Sequence, residues 1–185
     1  SNIPVLLLQG FSGDIRPRTP TTRLGVRRLL QGPRFAGFTP DQYTEWVTQL
    51  TDDVLAAKWT PLTGDGLDVA RLPVNRELFV VGGRPPAGGW LHAVRLGNLV
   101  ILGVPSEVVT EYSSSLVAVL PITDVWGVGC IDHVWGYAPT EKMLAEGGYE
   151  ASGFCRPFGV EAVNPRIETE LRTSMKALLT RIADL

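Results

Sequence analysis

The chain has 185 residues, which is enough for one domain with a hydrophobic core. Its composition, 44% hydrophobic and 19% charged, is typical of a globular protein, and no run of about 20 apolar residues could span a bilayer. The formal net charge is 17 minus 19, or −2, and gives no reason to expect a nucleic-acid partner. We therefore predict a single domain over residues 1–185, with no transmembrane segment.

The first part of the chain combines a buried-type strand with a polar loop. Residues 5–9 form a continuous apolar run, which predicts a strand that is covered on both faces. The following "GFSGDIRPRTP" predicts a loop, because glycine, aspartate and proline interrupt both periodicities. A domain seldom begins inside its core. We therefore expect this chain to be the C-terminal part of a longer protein, or to pair through that strand with a second copy.

Arginine is concentrated near this loop. Fourteen of the 17 basic residues are arginine, and six of them fall within residues 16–34. One interpretation is a solvated loop and short helix. The other is a surface that binds an anion or a substrate headgroup, since guanidinium groups match carboxylate and phosphate.

The rest of the chain alternates helical and strand patterns. "TPDQ" at Thr39 predicts a helix start, and "GN" at residues 97–98 predicts a hairpin turn. Asn164 and Pro165 precede an apolar face at helical spacing, which predicts a closing helix. The other predicted elements are strands at "LDVARLPV", "ELFVVGG", "GWLHAVRL" and "LVILG", a helix after Pro105, strand and loop at "TDVWGVGCIDHVWGYAPT", and a small helix over residues 140–146. We predict an α/β fold, a mixed β-sheet flanked by amphipathic helices, as part of a larger two-layer or sandwich-like domain.

Common hydrolase motifs are missing from the sequence. There is no G-x-S-x-G elbow and no H-E-x-x-H pair, and "QGFSGD" is not followed by the Gly-Lys-Ser/Thr of a Walker loop. The chain has two histidines, His92 and His133, for which structural roles are the simpler interpretation. A zinc site from Cys130, His133 and Cys155 is an unspecific alternative. Two cysteines cannot define a disulfide framework.

Glu107 is the carboxylate with the most distinctive context. It follows an apolar strand and the Pro105-Ser106 turn, where we predict the first turn of a helix. The helix dipole favours a negative charge there, either for stability alone or to hold a ligand. Both readings stay open on the residues themselves.

Three segments resemble a known family. "LLLQGFSGDIRP", "HAVRLGNLVILGVPSEVVTE" and "GYAPTEKMLAEGGYEAS" together resemble the later half of the catalytic domain of the neutral/alkaline, non-lysosomal ceramidase family. That family hydrolyses the amide bond of N-acylsphingosines. It uses a zinc ion held by two histidines, a glutamate and a tyrosine. The resemblance implies a zinc-dependent hydrolase domain acting on an N-acyl lipid or a related amide.

The resemblance also implies individual roles. It places the glutamate ligand at Glu107 and the tyrosine ligand at Tyr137 in "GYAPT". Tyr149 matches a tyrosine beside the reacting carbonyl, where a phenol can stabilise an oxyanion. The two histidine ligands would come from outside this chain, since His92 and His133 do not match them. We therefore expect the N-terminal half of the same protein, or a second copy, to complete the site.

One departure from the family concerns its active serine, which stands in a "G-N/D-x-S-P" loop. The matching stretch here is "GDIRP", with Arg16 at the position of the serine. Arginine is no nucleophile, but it can polarise a carbonyl or bind an acidic substrate group, which makes Arg16 a catalytic candidate. A salt bridge to Asp14 is the structural alternative for Arg16, and Asp14 itself is expected to cap a turn.

Two other functions remain open. The chain could belong to a non-catalytic relative that keeps the scaffold as a binding or structural domain. It could also be an unrelated α/β domain that binds an anion through the arginine-rich segment. The sequence identifies neither the compartment nor the acyl substrate.

Overall fold

The computed structural model describes residues 6–16, 38–83, 88–116 and 124–185. The chain divides into two compact units, one formed by Ser1–Ile15 with Leu62–Leu185 and the other by Arg16–Pro61. The prediction of a single domain over residues 1–185 stays a prediction. The arginine-rich segment beyond Arg16 lies outside the described residues up to position 37, so its anion-binding interpretation stays a prediction too.

The described elements follow the predicted alternation of helices and strands. In chain order they are α1 (Pro40–Ala56), β1 (Leu67–Val74), β2 (Val80–Val81), β3 (Gly89–Leu96), β4 (Leu99–Gly103), β5 (Glu107–Val108), α2 (Ser113–Leu116), β6 (Asp124–Val128), β7 (Tyr137–Ala138), α3 (Glu141–Glu146), α4 (Cys155–Phe158), β8 (Ala162–Val163) and α5 (Ile167–Ala183). Short 3₁₀ helices cover Arg76–Leu78 and Thr110–Tyr112, and a π-helical turn covers Tyr149–Gly153. No described helix has both the length and the apolar composition that a membrane span requires.

The main sheet of the described residues is mixed. Its four strands have the order β1-β3-β4-β6. β3 is antiparallel to both β1 and β4, whereas β4 and β6 run parallel. The predicted hairpin at residues 97–98 joins β3 to β4, with Leu96 opposite Leu99. The α/β fold with a mixed sheet is therefore confirmed.

Helix α5 covers one face of this sheet. It packs against β1 and β3. Its apolar residues fall at helical spacing, and those that are buried are Ile167, Leu171, Met175, Leu178, Leu179 and Ile182. Burying each such side chain contributes about 1.5–3 kcal/mol, so this face contributes substantially to the stability of the unit. The helix begins two residues after the predicted start, and the Asn164 side chain accepts a hydrogen bond from the Arg166 N–H instead.

Helix α1 begins as its sequence predicts. The Thr39 hydroxyl accepts a hydrogen bond from the Gln42 N–H at 3.3 Å, and the Gln42 side chain accepts one from the Thr39 N–H at 3.0 Å. Pro40 occupies the first helical position. This reciprocal capping satisfies two N–H groups that a helix start leaves free. Phe38, Tyr43 and Trp46 form an aromatic cluster in the same unit.

The predicted N-terminal strand is wrong for the residues that the structure describes. Residues 6–9 have no strand conformation, and the side chains of Leu6 and Leu7 are 81% and 93% exposed. Pairing begins only at the end of this segment, where Gly10 forms an antiparallel bridge with Val128. An apolar run without a neighbouring strand has no partners for its backbone groups, so the sequence pattern does not suffice for a buried strand.

Candidate functional site

Two of the predicted ligands lie side by side in a small parallel ladder. β5 and β7 pair in register, with Glu107 opposite Tyr137 and Val108 opposite Ala138. The Glu107 N–H donates to the Gly136 carbonyl at 2.9 Å, which fixes the register. Because side chains alternate between the faces of a strand, residues paired in register lie on the same face. The backbone therefore brings a carboxylate and a phenol together from segments 30 residues apart in the sequence.

The predicted position of Glu107 in a helix is wrong. Glu107 belongs to β5, and the helical segment begins later, with the 3₁₀ helix at Thr110. The apolar spacing of this stretch fits a helix, but the backbone of residues 107–108 pairs with β7 instead. The helix dipole therefore does not explain why a carboxylate stands at this position. Val108, Val109 and Tyr112 are nevertheless fully buried, as their apolar pattern predicts.

The side chains of Glu107 and Tyr137 interact directly. The Tyr137 phenol has a hydrogen-bond interaction with the Glu107 carboxylate. Burial raises the pKa of Tyr137 above its ordinary value, and the hydrogen bond and negative charge of Glu107 raise it further. The phenol therefore keeps its proton at neutral pH, and its hydroxyl is the donor in the hydrogen bond to the carboxylate.

Tyr149 contacts the same tyrosine. Its ring meets the ring of Tyr137 edge to face, with centroids 5.6 Å apart and an interplanar angle of 79°. This is a favoured geometry for aromatic pairs. Tyr149 is 43% exposed and opens the π-helical turn Tyr149–Gly153. Turns of this kind are rare and are frequently found at functional sites. Glu107, Tyr137 and Tyr149 therefore lie together, whereas their chemical roles stay predictions.

Cys130 is a neighbour of the site that the sequence interpretation did not place there. Its backbone N–H donates to the Ser106 carbonyl at 3.0 Å. Burial raises the pKa of the Cys130 thiol, and the negative charge of Glu107 adds to the increase. A protonated thiol is a poor nucleophile, so Cys130 lines the site without an evident chemical role. No sequence motif connects position 130 with position 107, since the link is made by tertiary structure.

The alternative zinc site of Cys130, His133 and Cys155 is wrong. No group of three or more His, Cys, Asp or Glu side chains that could hold a metal ion occurs in residues 6–16, 38–83, 88–116 and 124–185. The ring of His133 instead stacks on Trp135, with centroids 5.5 Å apart. The Nε2 atom of His92 lies 2.5 Å from a carboxylate oxygen of Asp132, which is hydrogen-bond distance. These contacts agree with the structural interpretation of both histidines.

The "GFSGD" segment lies against the strand that carries Glu107. The Gly13 N–H donates to the Val108 carbonyl at 2.8 Å. Asp14 accepts two hydrogen bonds from Thr110, one from its N–H at 2.7 Å and one from its hydroxyl at 2.9 Å. Asp14 therefore caps the start of a helix 96 positions away in the sequence, whereas the sequence predicts that it caps a local turn. Sequence proximity could not have revealed this contact.

Arg16 lies in the other compact unit. It is the first residue of Arg16–Pro61 and is exposed. Its assignment as a catalytic residue therefore stays a prediction.

The donor set suits half of a zinc site. Glu107 supplies a carboxylate and Tyr137 a phenol, so two oxygen donors lie side by side at one end of a ladder. Zinc sites usually have four ligands, and zinc accepts carboxylate oxygens readily. The positive charge of an ion would also oppose the effect of Glu107 on the Tyr137 pKa. The residues present fit the group as two of its ligands, and further ligands have to come from elsewhere.

The fold and site define an α/β domain with a paired carboxylate and phenol at a ladder end. No family model matches the chain, and no curated protein matches it. Among solved structures, the neutral ceramidase from Pseudomonas aeruginosa is similar, with a TM-score of 0.44 and 17% identity. The match covers 54% of this chain and 16% of the ceramidase chain. It is a weak ceramidase-like resemblance and assigns no activity to this chain.

Proposed function

We propose that this chain is part of a ceramidase-like, zinc-dependent hydrolase that cleaves the amide bond of an N-acyl lipid or a related compound. The observation that carries the proposal is the pairing of Glu107 with Tyr137, whose side chains also interact. These two residues are the ones that the motif resemblance assigns as metal ligands. The ceramidase name of the structural neighbour agrees with the proposal but does not support it independently.

In this proposal Glu107 and Tyr137 hold the zinc ion together with two histidines from outside this chain. A bound zinc would supply Lewis-acid polarisation of the acyl carbonyl and activation of a water molecule. The reaction consumes one water, breaks the C–N bond and releases a carboxylic acid and an amine. The backbone bond from Glu107 to Gly136 keeps the two ligands at a fixed separation.

Tyr149 is proposed to donate a hydrogen bond to the carbonyl oxygen on which negative charge develops. Its partial exposure leaves the side chain accessible to a substrate, while its ring contact with Tyr137 keeps it beside the ligands. Removing one such donor typically lowers kcat by about 100-fold to 1,000-fold. Arg16 is proposed to bind an acidic group of the substrate, since a guanidinium cannot replace the family's serine as a nucleophile.

Elemental analysis of the full-length protein tests the metal site. We expect about one zinc per chain in the wild type and a loss of zinc in Glu107→Ala. Glu111→Ala is the matched control, because Glu111 is an exposed carboxylate four residues further on. Stoichiometric zinc in the Glu107 variant would contradict the ligand assignment. A wild type without zinc would favour a non-catalytic binding or structural domain on the same scaffold.

Activity measurements separate the roles of the remaining residues. With an N-acyl amide as substrate, Tyr149→Phe should keep its zinc and lose kcat, because only the phenolic hydroxyl is removed. Arg16→Gln should keep kcat and raise KM for substrates that carry an acidic group. Equal kcat for Tyr149→Phe and the wild type would exclude the phenol from stabilising the carbonyl oxygen.

A further inference from the structure

We propose that residues 10–14 position Glu107, with Gly13 and Asp14 as the positioning residues. The inference rests on the proposed function, because it concerns the placement of a metal ligand. It assigns to the "GFSGD" segment the role of holding the Glu107 backbone in place, which the sequence motifs do not indicate.

Gly13 makes the closest approach to the strand of Glu107. Its N–H donates to the Val108 carbonyl at 2.8 Å. A Cβ atom at this position would lie 2.6 Å from the Glu107 carbonyl oxygen and 3.1 Å from its carbonyl carbon. These are backbone atoms, so no change of rotamer could relieve the clash. Only glycine allows the loop to contact Glu107 in this way.

Asp14 holds the start of the 3₁₀ helix that follows the strand. Its carboxylate accepts the Thr110 N–H through one oxygen and the Thr110 hydroxyl through the other. The first bond satisfies an N–H group at the start of the Thr110–Tyr112 helix, and both are charge-assisted. The segment from Val108 to Thr110, which directly follows Glu107, is therefore bonded at its two ends by neighbouring residues of one loop.

The loop is itself anchored to the main sheet. The Gly129 N–H donates to the Gln9 carbonyl at 3.0 Å, and Gly10 bridges to Val128 at the end of β6. On the opposite side, β5 is bonded to β7 through Glu107 and Gly136. The backbone of Glu107 is thus held between β7 and residues 10–14. A two-residue strand has few ladder bonds of its own, so the loop contributes a large share of its restraint.

Two substitutions in the full-length protein remove these contacts separately. Gly13→Ala introduces the clash with the Glu107 carbonyl, and Gly88→Ala is its control, because a Cβ there meets no atom within 4 Å. Asp14→Asn keeps an acceptor for the Thr110 N–H and loses the charge, with the exposed Asp124→Asn as control. Outer contacts of metal ligands are typically worth about 10-fold to 100-fold in affinity, so we expect zinc Kd to rise by that range. Thr110→Val removes the hydroxyl and should raise the zinc Kd as Asp14→Asn does. Thr110→Ser keeps the hydroxyl and should have the wild-type zinc Kd.

A readout that does not need zinc separates this inference from the proposed function. In protein labelled with 3-fluorotyrosine, the ¹⁹F resonance of Tyr137 reports the interaction with Glu107 and is assigned by its loss in Tyr137→Phe. Glu107→Gln gives the shift expected when the carboxylate charge is removed. We expect Gly13→Ala and Asp14→Asn to move this resonance, while the resonance of Tyr43 in the other unit stays in place. A change in thermal stability without these shifts would mean that the loop has only a structural role.

The possible outcomes are distinct. A moved Tyr137 resonance with weaker zinc binding supports both proposals. A wild type without zinc would contradict the proposed function. The Tyr137 resonance alone would then test whether the loop positions Glu107. If Gly13→Ala does not fold, Asp14→Asn and Thr110→Val test the positioning role in its place. A Tyr137 resonance and zinc Kd equal to those of the wild type in the folded variants would overturn the positioning role.

Discussion

The main sheet and the β5–β7 ladder are built by different means. β1 and β3 pair over eight residues each, and α5 buries its apolar face on them. β5 and β7 pair over two residues each and depend on backbone bonds and on the Asp14 carboxylate. Side-chain burial dominates in the sheet, whereas the ladder combines the buried side chains of Val108 and Ala138 with polar contacts between distant segments. This difference implies that stability and site geometry can be perturbed separately.

The largest effect is expected in the core of the sheet. Leu171→Ala removes a fully buried side chain from α5 and should lower the free energy of unfolding by about 2–5 kcal/mol. Because α5 packs on β1 and β3, the folded variant should keep the wild-type ¹⁹F resonance of Tyr137. Denaturant unfolding measures the free energy of unfolding. Lys176→Ala, at an exposed position of the same helix, is the control and should be close to neutral.

A smaller effect on stability, with a larger effect on the site, is expected at Gly136. This residue has φ +121°, and a Cβ atom would clash with the Phe154 ring. Its carbonyl also accepts hydrogen bonds from the Glu107 N–H and the Ser106 hydroxyl. We expect Gly136→Ala to cost about 1–3 kcal/mol through backbone strain and to move the Tyr137 resonance.

Gly147→Ala is the matched control for this prediction. Gly147 has φ +77°, but a Cβ atom there meets nothing within 4 Å. Its substitution should therefore cost about 1–3 kcal/mol through backbone strain alone and leave the Tyr137 resonance unchanged. A similar displacement of Tyr137 in both variants would show that the ladder is sensitive to general destabilisation, which would weaken the contrast with the sheet.

The same contrast explains what the sequence could predict. The boundaries of β1 and β3, the hairpin at residues 97–98 and the apolar face of α5 follow from patterns within a few residues. Such elements are stabilised by the local periodicity that the sequence displays. The capping box of Thr39 and Gln42 is local in the same way and predicts the start of α1 correctly.

The site was predictable only through its resemblance to a family. Local periodicity places Glu107 in a helix, because it does not show that β7, 30 residues later, offers a pairing partner. The contact of Asp14 with Thr110 and the nearness of Cys130 to Glu107 likewise depend on segments that are distant in the sequence. Residues 6–9 show the converse error. Their apolar pattern predicts a strand, but in the described residues the pairing begins only at Gly10.

The smallest effect on stability at neutral pH is expected at Tyr112. This residue follows β5 and is hydrogen-bonded to the segment that follows β7. Its buried hydroxyl donates to the Pro139 carbonyl at 3.0 Å. Tyr112→Phe should lower the free energy of unfolding by about 1 kcal/mol, the usual contribution of such a bond. Tyr43→Phe, at a side chain that is 56% exposed, is the control for the substitution and should stay close to the wild type.

The pH dependence distinguishes Tyr112 further. Burial raises its pKa above the ordinary value of 10.0, and the charge of Glu168 adds to the increase. Above about pH 10 the unfolded chain loses the phenolic proton while the folded protein keeps it, so stability falls as the pH rises. Tyr112→Phe removes this group and should make the alkaline decline shallower, although the variant is less stable at neutral pH. Urea unfolding between pH 8 and about 11 measures the stability loss and its dependence on pH. If stability declined with pH as steeply in Tyr112→Phe as in the wild type, the proposed contribution of Tyr112 would be contradicted.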